Sequence, residues 1–171
     1  TAPSNFTTNG QVFNIRNNAT PTIAANWTVS GTGAKVIVGD GVNACNFTVP
    51  SGFAFTGPVD VSANGTLTLQ NSTIPTIGVC DAASTVDYAS SGSQNITATT
   101  YGKLKTSTGG TKTLQNNVTI VAGDLTMGAS YTLSASGSGT RALSLAGNWT
   151  NNGTFTNGSD LVTLDGSGNQ S

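Results

Sequence analysis

The chain has 171 residues, 36% of them apolar and only 8% charged, with a formal net charge of -1 and no histidine. That length suits one buried core rather than two domains, and the apolar share is too high for a disordered tail, so polarity is left to Asn, Ser, Thr and Gly. So little charge, with no basic cluster, excludes an attractive field for nucleic acid or anionic lipid, and no run approaches the ~18 apolar residues of a membrane span.

The opening, TAPSNFTTNG, lacks a basic segment followed by an apolar one, so a signal peptide has either been removed or never existed. From there period-two alternation predicts strands in QVFNI (Gln11–Ile15), AKVIV (Ala34–Val38), NFTV (Asn46–Val49), GTLTL (Gly65–Leu69), NVTIVA (Asn117–Ala122) and LVTL (Leu161–Leu164). Each puts an apolar side chain on one face and a hydroxyl or amide on the other. Glutamate is absent and Lys, Arg and Met are few, so no window offers an amphipathic helix. Glycine signals at 31–33, 39–41, 109–110 and 137–139 interrupt the strands and mark corners needing positive φ.

Self-similarity decides among all-β architectures. VDYASSGSQN (Val86–Asn95) returns as VTLDGSGNQS (Val162–Ser171), TLTLQNSTI (Thr66–Ile74) as TKTLQNNVTI (Thr111–Ile120), and NWT occurs at Asn26 and at Asn148. Recurrent short strands are the signature of stacked coils that bury their apolar faces on one another. The expected fold is a right-handed parallel β-helix, a single β-solenoid domain over 1–171 with sub-repeats 1–84 and 85–171. An antiparallel β-sandwich is the alternative.

The run GSQNITATTYGKLKTSTGGTKTLQNNVTIVAGDLTMGASYTL, followed by LAGNWTNNGTFTNGSDLVTLDGSGNQS, resembles the repeat segments of large secreted surface proteins of Bacteroidetes-like bacteria. The resemblance covers residues 85–171. It implies β-helix stalks or adhesin bodies, export by the type IX route, and an extracellular or cell-surface location. No sorting domain of that route lies in the sequence, so the expectation is a piece of a longer protein or a subunit exported differently. Ser171 falls partway through a repeat. An open coil end would offer unpaired backbone groups to the next copy, a head-to-tail contact that does not close and so propagates.

Without His or Glu, general-base candidates reduce to Asp, Lys and Tyr, and hydrolytic triads are excluded. Asp40, Asp60 and Asp81 are about one coil apart and could stack into a Ca²⁺ site or a carboxylate pair, although each also reads as an Asx-turn corner. No D-x-D-x-D-G spacing occurs, so no metal, cofactor or catalytic residue is assigned. Arg16, Lys103, Lys105, Lys112 and Arg141 are scattered and read as solvated. Cys45 and Cys80 could form a disulfide or remain buried thiols.

Sequons at Asn5, Asn26, Asn46, Asn64, Asn95, Asn117 and Asn148 are candidate glycosylation sites, although alternation alone places Asn and Thr two apart on one face. Trp27, Trp149, Tyr88, Tyr101 and Tyr131 could grip sugar rings if exposed, but a core or capping role is the stronger reading. Thr-rich faces also suggest ice binding, which needs a T-x-T ladder at constant coil position, and the sequence displays none. The expected function is therefore a non-catalytic structural or adhesive element, a fibre subunit or stalk segment. Its partners would be copies of itself, adjacent repeats or surface glycans. A carbohydrate-binding module or polysaccharide-active enzyme on the same scaffold is the alternative.

Overall fold

The computed structural model describes residues 6–137 and 139–171, with the backbone alone for 6–9 and 118. The described chain winds into about eight turns of a parallel β-solenoid with no helix. The first coil holds β1 (Phe6–Asn9) and β2 (Val12–Ile15), and the second β3 (Trp27–Ser30), β4 (Lys35–Val38) and β5 (Cys45–Val49). The third holds β6 (Phe55–Thr56), β7 (Pro58–Val61) and β8 (Gly65–Leu69), and the fourth β9 (Thr76–Cys80) and β10 (Thr85–Tyr88). The fifth holds β11 (Gln94–Ile96), β12 (Thr100–Tyr101) and β13 (Lys103–Thr106), and the sixth β14 (Thr111–Leu114), β15 (Asn117–Val121) and β16 (Leu125–Met127). The seventh holds β17 (Thr132–Ser134), β18 (Arg141–Leu145) and β19 (Trp149–Asn151), and the eighth β20 (Thr154–Thr156) and β21 (Leu161–Leu164).

Every strand pairing among the described residues is parallel, which eliminates the antiparallel sandwich. Parallel strands cannot be joined by tight hairpins, so each must be reached by a full circuit of the coil, right-handed by the usual rule for such crossovers. One six-stranded sheet, β5-β8-β10-β13-β16-β19, runs unbroken through the stack and crosses the boundary between residues 84 and 85. The other flanks change sheets midway. β1-β3-β6 gives way to β11-β14-β17-β20, and β2-β4-β7-β9 to β12-β15-β18-β21.

Inward side chains form columns. Phe47, Leu67, Val86, Leu104 and Leu125 stack in register with no exposed surface, and Trp149 continues them half-buried on the seventh coil. Burial of each such residue contributes about 1.5–3 kcal/mol, so stacking can hold short strands together where their own propensity cannot. Lower coils add an aromatic run, Phe13 to Trp27 to Phe47 to Phe55, with neighbouring centroids 5.7, 5.7 and 5.5 Å apart. Corners follow the glycine signals, for every glycine in 31–33, 39–41, 109–110 and 137–139 has positive φ, as does Asn64 at 59°.

The sequence echoes do not mark whole coils. Val86 lies in the continuous six-stranded sheet, whereas its counterpart Val162 lies in β21 of another sheet, and the other two echoes change sheet in the same way. What repeats is a strand with its corner. Gln94 Nε2 donates to Leu69 O (2.9 Å) and Asn71 O (2.8 Å), and its Oε1 accepts from the Ser90 amide. Gln170 Nε2 donates to Leu145 O (2.8 Å) and Gly147 O (2.8 Å), and its Oε1 accepts from the Gly166 amide. Both corners leave two carbonyls of the coil beneath in need of a donor, so one sequence solution serves at more than one corner.

Three successive coils use this solution at one corner. Asn71 Nδ2 donates to Ser51 O and Phe53 O, Gln94 covers Leu69 O and Asn71 O, and Lys112 Nζ donates to Ser90 O (2.6 Å) and Gly92 O (2.9 Å). Lys112 was expected to be solvated, but it has no exposed surface. It shares an inward phase with Leu114, and its amine replaces solvent for two carbonyls. Burial pulls its pKa down to about 8.

Candidate functional site

The aspartates were the sequence-level candidates for chemistry. Asp40 and Asp81 do line one hollow with Arg16, and Asp60 and Asp81 line a second beside Val79, all on the flank of the lower sheet β2-β4-β7-β9. Each is engaged by the fold. Asp40 accepts from the amides of Asn17 (2.8 Å), Val42 (3.0 Å) and Asn43 (2.7 Å), which hold its carboxyl well below the usual range. Asp81 accepts from the Ala83 amide at 2.8 Å. Asp60 sits in a bulge where β9 carries one extra residue. It accepts from Val79 N and pairs with Lys35 at 2.6 Å, and Gly78 leaves room for its carboxylate where a Cβ would overlap it.

The remaining aspartates are structural too. Asp87 meets Lys105 at 3.2 Å and Ser107 Oγ at 2.7 Å, Asp124 accepts from Asn148 N, Asp160 from Arg141 N, and Asp165 from Ser144 Oγ. Among the described residues no three Asp or Cys side chains come together. Cys45 is buried in β5 and Cys80 lies in β9 of a different sheet, and both are free thiols. Burial pushes the Cys80 thiol up to about 11.

The aromatic residues belong to the interior. Trp27, Tyr88, Tyr101 and Tyr131 are buried, and Trp149 is half-buried against Phe155 with centroids 4.8 Å apart. Tyr88 and Tyr101 close a ring of hydrogen bonds with one backbone unit. Thr97 N donates to Tyr88 Oη (3.2 Å), the two hydroxyls meet at 2.7 Å, and Tyr101 Oη donates to Thr97 O (2.7 Å). Burial raises both phenol pKa values.

Among the sequons, Asn26, Asn46, Asn64 and Asn148 bind neighbouring coils through their side-chain amides: to Ala54 N, Thr68 Oγ1, Gly41 O and Ser171 N respectively. Asn95 and Asn117 are exposed. Asn5 lies outside the described residues. A hydroxyl ladder invisible in sequence is present: Thr111 and Thr113, Thr132 and Ser134, and Thr154 and Thr156 stack in register on β14, β17 and β20. Ser134 breaks the T-x-T motif in the middle rung, and the step lengthens from 21 residues to 22, which hid it. Its outer column continues down to Asn95, and there it forms the side of a groove instead of a flat plane.

That groove lies on the flank of the upper sheet β11-β14-β17-β20. Its first part, about 420 Å³, is lined by Asn95, Thr113, Leu114, Gln115, Asn116 and Arg141. A second, about 390 Å³, shares Asn95 and Gln115 and adds Thr97 with an apolar floor of Ile74, Pro75 and Ile77. It opens where the fourth coil has no strand between β8 and β9, so β11 begins its sheet with nothing paired beneath it.

Arg141 is the charged residue of this lining, and it is half-buried, not fully solvated as its scattered position suggested. Its Nε donates to Leu114 O at 2.6 Å, and its Nη1 is buried without a hydrogen-bond partner. The loop through Gly137 lies against the guanidinium so closely that a Cβ there would collide with it. The ion pairs found among the described residues are Lys35–Asp60 and Lys105–Asp87, so no carboxylate neutralises Arg141.

Fold and groove together define a parallel β-solenoid with a lateral polar cleft. Comparison with protein-family models, curated proteins and solved structures returns no match to this chain.

Proposed function

We propose that the chain is a non-catalytic structural and adhesive element of an extracellular bacterial surface assembly, a stalk segment or fibre subunit. The observation that carries this reading is the column of Asn71, Gln94 and Lys112, which ties each corner to the carbonyls of the coil beneath. Such clamps resist slippage along the axis, which is the demand placed on a rod. The engagement of every aspartate in a hydrogen bond or ion pair of the fold supports a role without acid–base chemistry.

Assembly along the axis is part of the proposal. On the eighth coil, inward-column residue Leu164 is 57% exposed, and β19, β20 and β21 each end their sheets. A further coil, whether of the same chain or of another copy, would stack on these edges. Sedimentation and negative-stain imaging over a concentration series test this directly. Rods that lengthen with concentration, and that shorten in Leu164→Asp, are expected. A compact monomer at every concentration contradicts the fibre reading, and release of reducing ends from any polysaccharide contradicts the non-catalytic one.

A further inference from the structure

We infer that the groove formed by Asn95, Gln115, Asn116 and Arg141 is a binding site for an acidic oligosaccharide, with an anionic ring substituent seated against Arg141. The inference deepens the adhesive half of the proposed function and rests on it. Three observations converge. The guanidinium is held in place by Leu114 O, partly covered, and has no counter-ion among the described residues. Nη1 has no accessible surface and lies against the Gly137 loop, so an arriving anion meets the exposed part of the half-buried guanidinium, where charge-assisted hydrogen bonds offset its partial withdrawal from water.

The rest of the lining matches a sugar. Exposed Asn95, Gln115 and Asn116 offer both donors and acceptors, as a ring of hydroxyls requires, while half-buried Ile74, beside the buried Pro75 and Ile77, supplies an apolar edge for the carbon face of a pyranose. Shape agrees as well. The lining residues come from successive coils, which rise by ~4.8 Å each, so the groove runs along the axis and favours a linear chain over a compact ligand. No carboxylate lines either part, and the carboxylate bonded at Arg141, that of Asp160, is taken up by the backbone amide.

Carboxylate and sulfate groups share this chemistry, and the test separates them. Short oligogalacturonates, their methyl esters and a sulfated galactan oligomer would be titrated into the full chain by calorimetry without divalent cations, with amide chemical shifts followed by NMR. Binding of the free acid or the sulfated oligomer, absence of binding by the ester, and shifts at Asn95, Gln115 and Asn116 are expected. The preferred oligomer identifies the anion. Arg141→Gln should weaken binding roughly tenfold to a hundredfold, the range expected for one charge-assisted contact. Because Arg141 also braces Leu114, the exposed pair Gln115→Ala and Asn116→Ala provides an independent check and should weaken binding without loss of fold. Equal binding of ester and acid, or no shift at these amides with any oligomer, overturns the proposal. Rod formation measured without saccharide is unaffected by either result, so this site and the structural reading fail separately.

Discussion

The lower and middle coils of the solenoid fill the same interior in different ways. Below, Phe13, Trp27, Phe47 and Phe55 interlock as rings at 5.5–5.7 Å. In the fourth to sixth coils the interior admits Gln94, Lys112 and the paired hydroxyls of Tyr88 and Tyr101, all buried. The aromatic part is held by burial, which is strong but undirected. The polar part is held by bonds that exist in one register only. The middle coils are therefore where coil register is specified, and the groove, which depends on register to bring Asn95 beside Thr113, begins there.

This contrast can be broken most forcefully from below. Phe47→Ala leaves a cavity between Trp27 and Phe55 and should cost about 3–5 kcal/mol in chemical denaturation. In the middle coils Gln94→Leu keeps the volume but strands Leu69 O and Asn71 O, and a loss of about 1–3 kcal/mol per buried carbonyl is expected. Tyr101→Phe opens the hydroxyl ring at Thr97 O and should cost about 1 kcal/mol, read the same way.

Lys112 sharpens the comparison through pH. Its folded pKa of about 8 lies below the ~10.4 of an unfolded lysine, so between these values the unfolded chain binds the extra proton and stability rises with pH. Cys80, raised to about 11, acts in the opposite sense over part of that window, so the measurement belongs in a Cys80→Ala background. There, denaturation midpoints should climb between pH 8 and about 9, below the range in which Tyr88 and Tyr101, with raised pKa values, pull stability the other way, and the climb should be lost in Lys112→Met. Asp40 contributes the smallest effect. Its lowered pKa makes its contribution present above pH ~4 and lost on further acidification, a loss that Asp40→Asn should abolish.

How far the sequence carried these features depends on the distance over which each is encoded. Alternation is local, and Gly65–Leu69 and Leu161–Leu164 were read to the residue. Register is not local. A coil takes 18 residues from Thr85 to Lys103 but 28 from Trp27 to Phe55, so the groove has no fixed period, and the hydroxyl ladder steps by 21 residues from Thr111 to Thr132 and by 22 from Thr132 to Thr154. Lys112 was readable in principle, because in T-K-T-L it alternates in phase with Leu114 and out of phase with both threonines. Charge argued for solvent and phase argued for the core. Phase prevailed because two corner carbonyls needed a donor. Arg141 gave no such signal, since the Leu114 carbonyl that holds it comes from the preceding coil.

Distant residues become neighbours here by in-register parallel stacking, and a crosslink reads that directly. With Cys45 and Cys80 replaced by Ala, Asn95→Cys and Thr113→Cys place two thiols on outward, register-paired positions of adjacent strands. Strand spacing of ~4.8 Å lies within the ~4.4–6.8 Å that a disulfide spans. Mild oxidation should close that bond in the folded monomer and leave the out-of-register pair Asn95→Cys with Thr111→Cys open. Ready closure of the second pair, or failure of the first in a folded chain, would contradict the stacking on which both the rod and the groove depend.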